Sequence, residues 1–306
     1  MADFPRTDVG GLSVSRLIVG TNWFLGYTHT TKAQDRWVER QQTRRRMAEI
    51  LEVFFRAGVD TVMGPFELSA KLRSAVKDAE DRTGRKALIV STPHLEIAPG
   101  QAARDETARI LDRQAAIGAD ICMPHQASTD ALVDRRTRQI TDMDRYCRMI
   151  REREMIPGLS THMPETIAYA DETGLDVETY IQLYNARGFL MQLEVDWIHR
   201  MIWQAKRPVM TIKPLAAGRL HPLVGLAYSW ATLREKDMVT IGTVTPDEAR
   251  EVIDISLAQL AHGGRPSVEL QRTRSKESVE GLDGDKVPDS AKYLAKGKGN
   301  QPAPAE

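Results

Sequence analysis

Three histidines, His94, His125 and His162, each close a short apolar run: ALIVSTPH, ICMPH and PGLSTH. Imidazole titrates near neutral pH and, when neutral, ligates metal ions. The 306-residue chain has only 7 histidines, so three at successive run ends is a concentrated signal. Three imidazoles from separate strand ends suit a divalent metal ion, and they also suit proton transfer. The alternative for each alone is a hydrogen-bonded structural histidine. Lys213 closes a fourth run, VMTI, ahead of Pro214. Burying an ammonium there is costly unless it meets water or polar groups. In a cavity such a lysine can act as a base with a lowered pKa or form a Schiff base with a carbonyl. Asp60, which opens the run DTVMG, is a further acid-base candidate. Asp60 or Glu67 could instead be a simple ion-pair partner for Lys213. His29, in the polar stretch GYTH, adds an imidazole if that stretch folds over the site. Asn185 ends YIQLYN and either donates to a substrate oxygen or closes a turn.

The elements that would position these groups recur at intervals of about 25 to 45 residues, the spacing of βα units. The eight runs are LIVGTN, DTVMG, ALIVST, ICMPH, PGLSTH, YIQLYN, VMTIKP and MVTIGT. They are rich in Val and Ile without clean alternation, as strands buried on both faces should be. Between them, Met47, Ile50, Leu51 and Phe54 follow a helical period that stops at Gly58, and Ile110, Leu111 and Ala115 one that stops at Gly118. Thr245-Pro246-Asp247-Glu248 reads as an N-cap, a proline at the first helical position and an acidic first turn. Eight alternating units predict a (β/α)8 barrel of the α/β class, with the candidate residues at the C-terminal strand ends where such barrels carry their sites. The rival, a doubly wound sheet, lacks its GxGxxG opening. Residues 25–46 form a long polar insert after the first strand, either a lid or a solvated loop leading into a helix. Within it, Arg44-Arg45-Arg46 reads as a solvated helix face. Trp23 and Phe66 are candidates for an apolar wall. The expected organisation is a barrel over 1–264 and a charged extension over 265–306, whose last stretch has the composition of disorder.

The order of these motifs resembles the aldo-keto reductase superfamily. GLSVSRLIVGT is similar to that family's N-terminal hairpin and first strand, and GVDTVMG to its second. IPGLSTHMPETI and YIQLYN resemble strands five and six, KPLAAGRL the turn after strand seven, and TIGTVTPDEA the last strand and phosphate-binding helix. The resemblance implies the barrel fold and an NADPH-dependent carbonyl reduction by Asp, Tyr, Lys and His. Asp60 and His125 match the Asp and the His. Pro65 stands where the Tyr is expected and Pro93 where the Lys is expected. Ser160 and Gln182 match the positions that hold the nicotinamide amide, but Thr161 replaces the following Asn. Ile212 replaces the aromatic residue that stacks on nicotinamide, and Lys213 replaces the next Ser. Gly242 is followed by Thr243 and Val244, with no base to clamp a phosphate. The resemblance therefore implies a reductase fold that has lost the reductase proton donor and part of its cofactor grip.

Lys and Arg number 42, as do Asp and Glu, so nothing in the charge balance suggests a nucleic-acid or membrane partner. No apolar run is long enough to span a bilayer, and the start has no apolar signal core. Cys122 and Cys147 form no CxxC motif, and Cys122 sits in an apolar strand as a packed thiol would. The expectation is a cytoplasmic barrel enzyme with a small-molecule substrate, its oligomeric state left open. Its expected chemistry is metal-assisted proton transfer, that of an isomerase, lyase or dehydratase, on an oxygenated compound such as a sugar derivative. His94, His125 and His162 would hold the divalent metal, and Lys213 or Asp60 would move the proton. The alternatives are an NADP-dependent oxidoreductase using His125 as its acid, and a non-catalytic barrel that binds a ligand.

Overall fold

The structure, a computed structural model, describes residues 3–261. The extension expected over 265–306, with its boundary at 264, lies outside the described residues. The chain opens with an antiparallel hairpin, β1 (Arg6–Val9) and β2 (Leu12–Ser15). The remaining strands are β3 (Leu17–Gly20), β4 (Thr61–Gly64), β5 (Leu88–Ser91), β6 (Ile121–Cys122), β7 (Val133–Asp134), β8 (Gln139–Ile140), β9 (Ile156–Pro157), β10 (Leu159–Ser160), β11 (Tyr180–Leu183), β12 (Val209–Ile212) and β13 (Met238–Ile241). β7 and β8 form a small side hairpin. The others form one parallel sheet in the order β10-β11-β12-β13-β3-β4-β5-β6-β9. β9 and β10 are two halves of a single run, interrupted at Gly158. The first and last positions of that order are therefore joined, and the sheet closes as an eight-position barrel. A Cβ at Gly158 would fall 2.8 Å from the Thr179 carbonyl oxygen, so the close approach that completes the barrel needs a glycine. All eight expected apolar runs lie in these strands.

Ten α-helices among the described residues alternate with the strands: α1 (Lys32–Gln41), α2 (Arg44–Arg56), α3 (Ala70–Thr83), α4 (Gln101–Ile117), α5 (Gln126–Ala131), α6 (Met143–Arg151), α7 (Glu165–Thr173), α8 (Val195–Gln204), α9 (Pro222–Thr232) and α10 (Pro246–Ala261). Their ends follow local chemistry. Thr43 caps α2 by accepting from the Arg46 amide. The helix then buries Met47, Ile50, Leu51 and Phe54 on one face and stops before Gly58. α10 begins with the expected cap, since the Thr245 hydroxyl accepts from the Glu248 amide at 3.1 Å.

The core has two shells. Ile18, Met63, Val90, Ile121, Ile181 and Met210 pack inside the barrel, and a larger shell including Leu51, Phe54, Leu111 and Ile198 fills the space between strands and helices. Burying each such side chain contributes roughly 1.5–3 kcal/mol. The hairpin lies at the N-terminal end, because Arg6 on β1 reaches Asp60 immediately before β4 at 2.9 Å. The opposite end is left for the loops that carry the site. Cys122 and Cys147 are free and buried, and burial pushes both thiols up to about 12.

Candidate active site

A cavity of about 1010 Å³ opens at the C-terminal ends of the barrel strands. Its inner part is lined by Lys213, His94, His125, His162 and Ser160, and its floor by Met63 and Thr240. Lys213 follows β12 directly and adopts φ 62°, a left-handed conformation that L residues rarely take. Ala216 and Ala217 in the same loop are left-handed too, at 48° and 55°. Among the described residues no carboxylate lies within ion-pair distance of the Lys213 ammonium. Burial lowers its pKa to about 8.

The imidazoles sit around this lysine. The rings of His94 and His125 pack against each other at a tilt, with centroids 3.9 Å apart and planes 32° apart. The backbone amide of Ala127 donates to His125 Nδ1 at 3.2 Å, which makes His125 the N-cap of α5. That hydrogen bond leaves the proton of neutral His125 on Nε2. Burial lowers His125 to about 4, helped by the nearby His94 and Lys213. His162 is lowered to about 4 as well, first by burial and then by Lys213, His125 and His29. His29 is lowered by burial and by Lys213. At neutral pH these three imidazoles are therefore uncharged.

The three-histidine metal set does not form. Among the described residues no group of three or more His, Cys, Asp or Glu side chains is arranged to hold a metal ion. The physical reasons lie in the rings. Imidazole lone pairs lie in the ring plane, so two rings packed against each other with centroids 3.9 Å apart do not direct theirs at one point. A ligating histidine donates from its second nitrogen, whereas His125 accepts there and carries its proton on the other. His29 does not replace the missing ligand.

Asp60 is also misplaced by the sequence reading. It precedes β4 and therefore lies at the N-terminal end, where it accepts from Arg6 and has Arg85 at 3.9 Å. It cannot share the mouth with Lys213. The mouth end of β4 carries Met63 and Gly64 instead. Glu67 does not pair with Lys213 either. Ser160 is nearly buried and lines the cavity, whereas Gln182 is buried beside it outside the lining, with its carbonyl oxygen unpartnered. The Asn185 side chain accepts from the Phe189 amide at 2.8 Å and donates to the Phe189 carbonyl at 3.1 Å, so it closes a turn. Trp23 is part of the cavity wall, but Phe66 is in the core.

The insert lies across the mouth. Tyr27, His29, Gln34, Asp35 and Trp37 all line the cavity. Thr28 donates from both its amide and its hydroxyl to Asp35, which folds the loop onto α1. Arg219 donates to the His29 carbonyl, and the Gln42 side-chain amide to the Val244 carbonyl. Two residues that carry no obvious chemistry in the sequence also shape the site. Asp130 accepts from the Thr161 hydroxyl and the His162 amide, which holds the turn that presents His162. Glu248 reaches back from α10 and accepts from the Val244 amide at 2.6 Å. The Thr-Pro-Asp-Glu capping pattern signals the second of these, whereas nothing local signals the first.

No family model matches the chain, and no curated protein matches it by sequence. Solved structures do match in fold. A protein of Pseudomonas aeruginosa described as an aldo-keto reductase is 16% identical with a TM-score of 0.58, over 84% of this chain and 97% of that one. An aldo/keto reductase from Klebsiella pneumoniae, solved with NADP and acetate, is 17% identical with a TM-score of 0.51, over 89% and 98%. A truncated 3-deoxy-D-arabino-heptulosonate 7-phosphate synthase from Thermotoga maritima is 12% identical with a TM-score of 0.51, over 85% and 93%. The chain has the (β/α)8 barrel fold that these enzymes share. Among the described residues no helix is long and apolar enough to cross a membrane.

Proposed function

We propose that the barrel is an enzyme that moves a proton next to a substrate carbonyl, as an isomerase, lyase or dehydratase does, with Lys213 as its reactive amine. The observation that carries this reading is the unpaired Lys213 ammonium, lowered to about 8 by burial and set among imidazoles in a cavity. Roughly a tenth of such an amine is neutral at pH 7, far more than for an ordinary lysine. The neutral amine adds to the carbonyl carbon of a small oxo compound, and loss of water gives the protonated imine. The imine withdraws electrons from the adjacent carbon. A neutral imidazole, His162, then takes the proton released there and returns it to the product. His162 acts here as a base rather than as a ligand, His125 offers its Nε2–H to a substrate oxygen, and Ser160 offers a hydroxyl to the substrate.

The second reading, an NADP-dependent oxidoreductase, draws on the likeness to a reductase solved with NADP and on Ser160 in the cavity wall. The residues at the far end of the cavity do not fit that cofactor. The Val244 amide, at the helix start where a phosphate would dock, is taken by the Glu248 carboxylate. A phosphate would meet that negative charge with no basic residue after Gly242 to offset it.

Borohydride trapping tests the proposal. Pyruvate, glycolaldehyde and dihydroxyacetone would each be incubated with the protein, reduced and mapped by mass spectrometry. The expected result is a covalent increment on the peptide carrying Lys213, absent in Lys213→Met. Proton exchange beside the carbonyl in D2O should be lost in the same variant. No adduct and no exchange with any of the three, in a folded protein, would leave a non-catalytic ligand-binding barrel. Carbonyl-dependent NADPH oxidation would establish the second reading instead.

A further inference from the structure

His94, His125 and His162 lie two or three residues past the ends of β5, β6 and β10. The sheet ladder stops before them, so it does not fix how far apart their rings sit. One helix of 6 residues, α5, holds the backbone beside all three. His125 is its N-cap, and the His125 amide donates to the Pro93 carbonyl at 2.8 Å, next to His94. The buried Ser128 hydroxyl accepts from the Leu95 amide at 3.0 Å, on the other side of His94. Thr129 donates to the Pro124 carbonyl at 3.0 Å, which ties the helix to its own entry.

Asp130 reaches the third histidine. One carboxylate oxygen accepts from the Thr161 hydroxyl, and the other accepts from the His162 amide at 3.0 Å. With its proton directed at Asp130, the Thr161 hydroxyl accepts from the Met163 amide at 2.9 Å and closes the turn around His162. Hydrogen bonds to a carboxylate are about twice as strong as neutral ones. Burial pushes the Asp130 carboxyl up, so a charge is carried there at a cost. Both of its oxygens serve the turn that carries one ring.

We propose that Asp130 is a positioning residue, which through α5 sets the His162 ring at a fixed place relative to His125 and Lys213. Its effect on rate rests on the reading of His162 as the base, but its placement of the ring does not depend on any chemistry at Lys213. The amine at Lys213 forms the imine without help from Asp130. Removal of the neighbouring proton needs His162 in reach, and a base displaced by an ångström loses much of its rate.

Asp130→Asn tests this, because the amide keeps one acceptor and turns a donor towards the other group. The oxo compound that gives the most adduct in the unsubstituted protein would be used throughout. The expected result is an unchanged borohydride adduct on Lys213, with deuterium exchange beside the carbonyl slowed roughly tenfold or more. The His162 ring, followed by NMR, should also titrate about one pH unit higher. It then leaves the burial that holds it at about 4, facing Lys213, His125 and His29. Thr161→Val keeps the His162 amide bond, should show smaller changes in the same directions, and decides the matter if Asp130→Asn does not fold. An unslowed exchange, an unmoved His162 midpoint, or an adduct that falls as far as the exchange would each overturn the assignment. If the unsubstituted protein gives no adduct, the imine reading fails, and the His162 midpoint alone decides whether Asp130 places the ring.

Discussion

The two ends of this barrel treat charge in opposite ways. At the N-terminal end every named ionic group is tied to structure. Asp60 pairs with Arg6, Asp120 accepts from the Ile89 amide, and Asp237 is fully buried, accepting from the Val209 amide and from Arg234 through several bonds. Arg16 donates to the Asp237 carbonyl. At the C-terminal end Lys213 has no ion pair, and neither His125 nor His162 is charged at neutral pH. Charge that is paired and hydrogen-bonded holds strands in register. Charge kept unpaired in a cavity costs stability and leaves a group able to react.

The largest expected effect comes from the paired end. Asp237→Ala strands the half-buried Arg234 and releases two backbone amides, and should cost about 3–5 kcal/mol in denaturant unfolding. Asp60→Asn should lose less, because Arg6 is partly exposed, and should leave the borohydride adduct intact. A loss of adduct in folded Asp60→Asn would break the contrast between the ends.

A smaller effect separates the ends by pH. His125 and His162 lie at about 4 in the folded chain against 6.5 for a free imidazole. Between those values the unfolded chain binds protons that the folded chain refuses. Stability should therefore be level above pH 6.5 and fall as pH drops towards 4, by about 2–4 kcal/mol for the pair after allowance for partial exposure. The double variant His125→Asn, His162→Gln keeps a cap at α5 and should flatten that fall in a melting series from pH 4 to 8. An equally steep fall in the variant would assign it to other groups.

Lys213→Met should change stability in the opposite sense to Asp237→Ala. Its folded pKa is depressed to about 8, so at pH 7 burial of the ammonium opposes folding. Removing it should stabilise by about 1–2 kcal/mol, discounted for exposure, while the adduct is lost. A destabilised variant would mean that Lys213 has a structural partner after all. The smallest effect belongs to Arg44, whose pair with Asp78 is solvent-exposed. Arg44→Ala should leave the melting temperature where it is.

What could be read in advance follows the same division. Eight buried strands leave a strong apolar signature, and the caps at Thr43 and Thr245 are local, so the barrel and its helices were readable from the chain. The location of Lys213, His125 and His162 at one mouth follows from their coming within three residues after the end of a strand. Asp60 was misjudged because the matching Asp-Thr pair outweighed chain direction: in a parallel barrel the residue that opens DTVMG lies at the N-terminal end. The metal set was misjudged because a ligand needs ring orientation and tautomer. Those are fixed by the Ala127 amide and by the packing of His94 against His125, not by spacing. The role of Asp130 depends on contacts between loops far apart in sequence.

The loop after β12 carries one more consequence. Lys213, Ala216 and Ala217 all hold left-handed backbone that glycine would adopt freely. Each holds that shape at a cost of order 1 kcal/mol. Selection for thermal endurance alone would drift these three positions towards glycine or asparagine, and would discard the lysine first, since solvation and backbone both disfavour it. A stability-selected library of this chain should therefore lose Lys213 early, and a line held under selection for turnover should retain it together with the misfit of its loop.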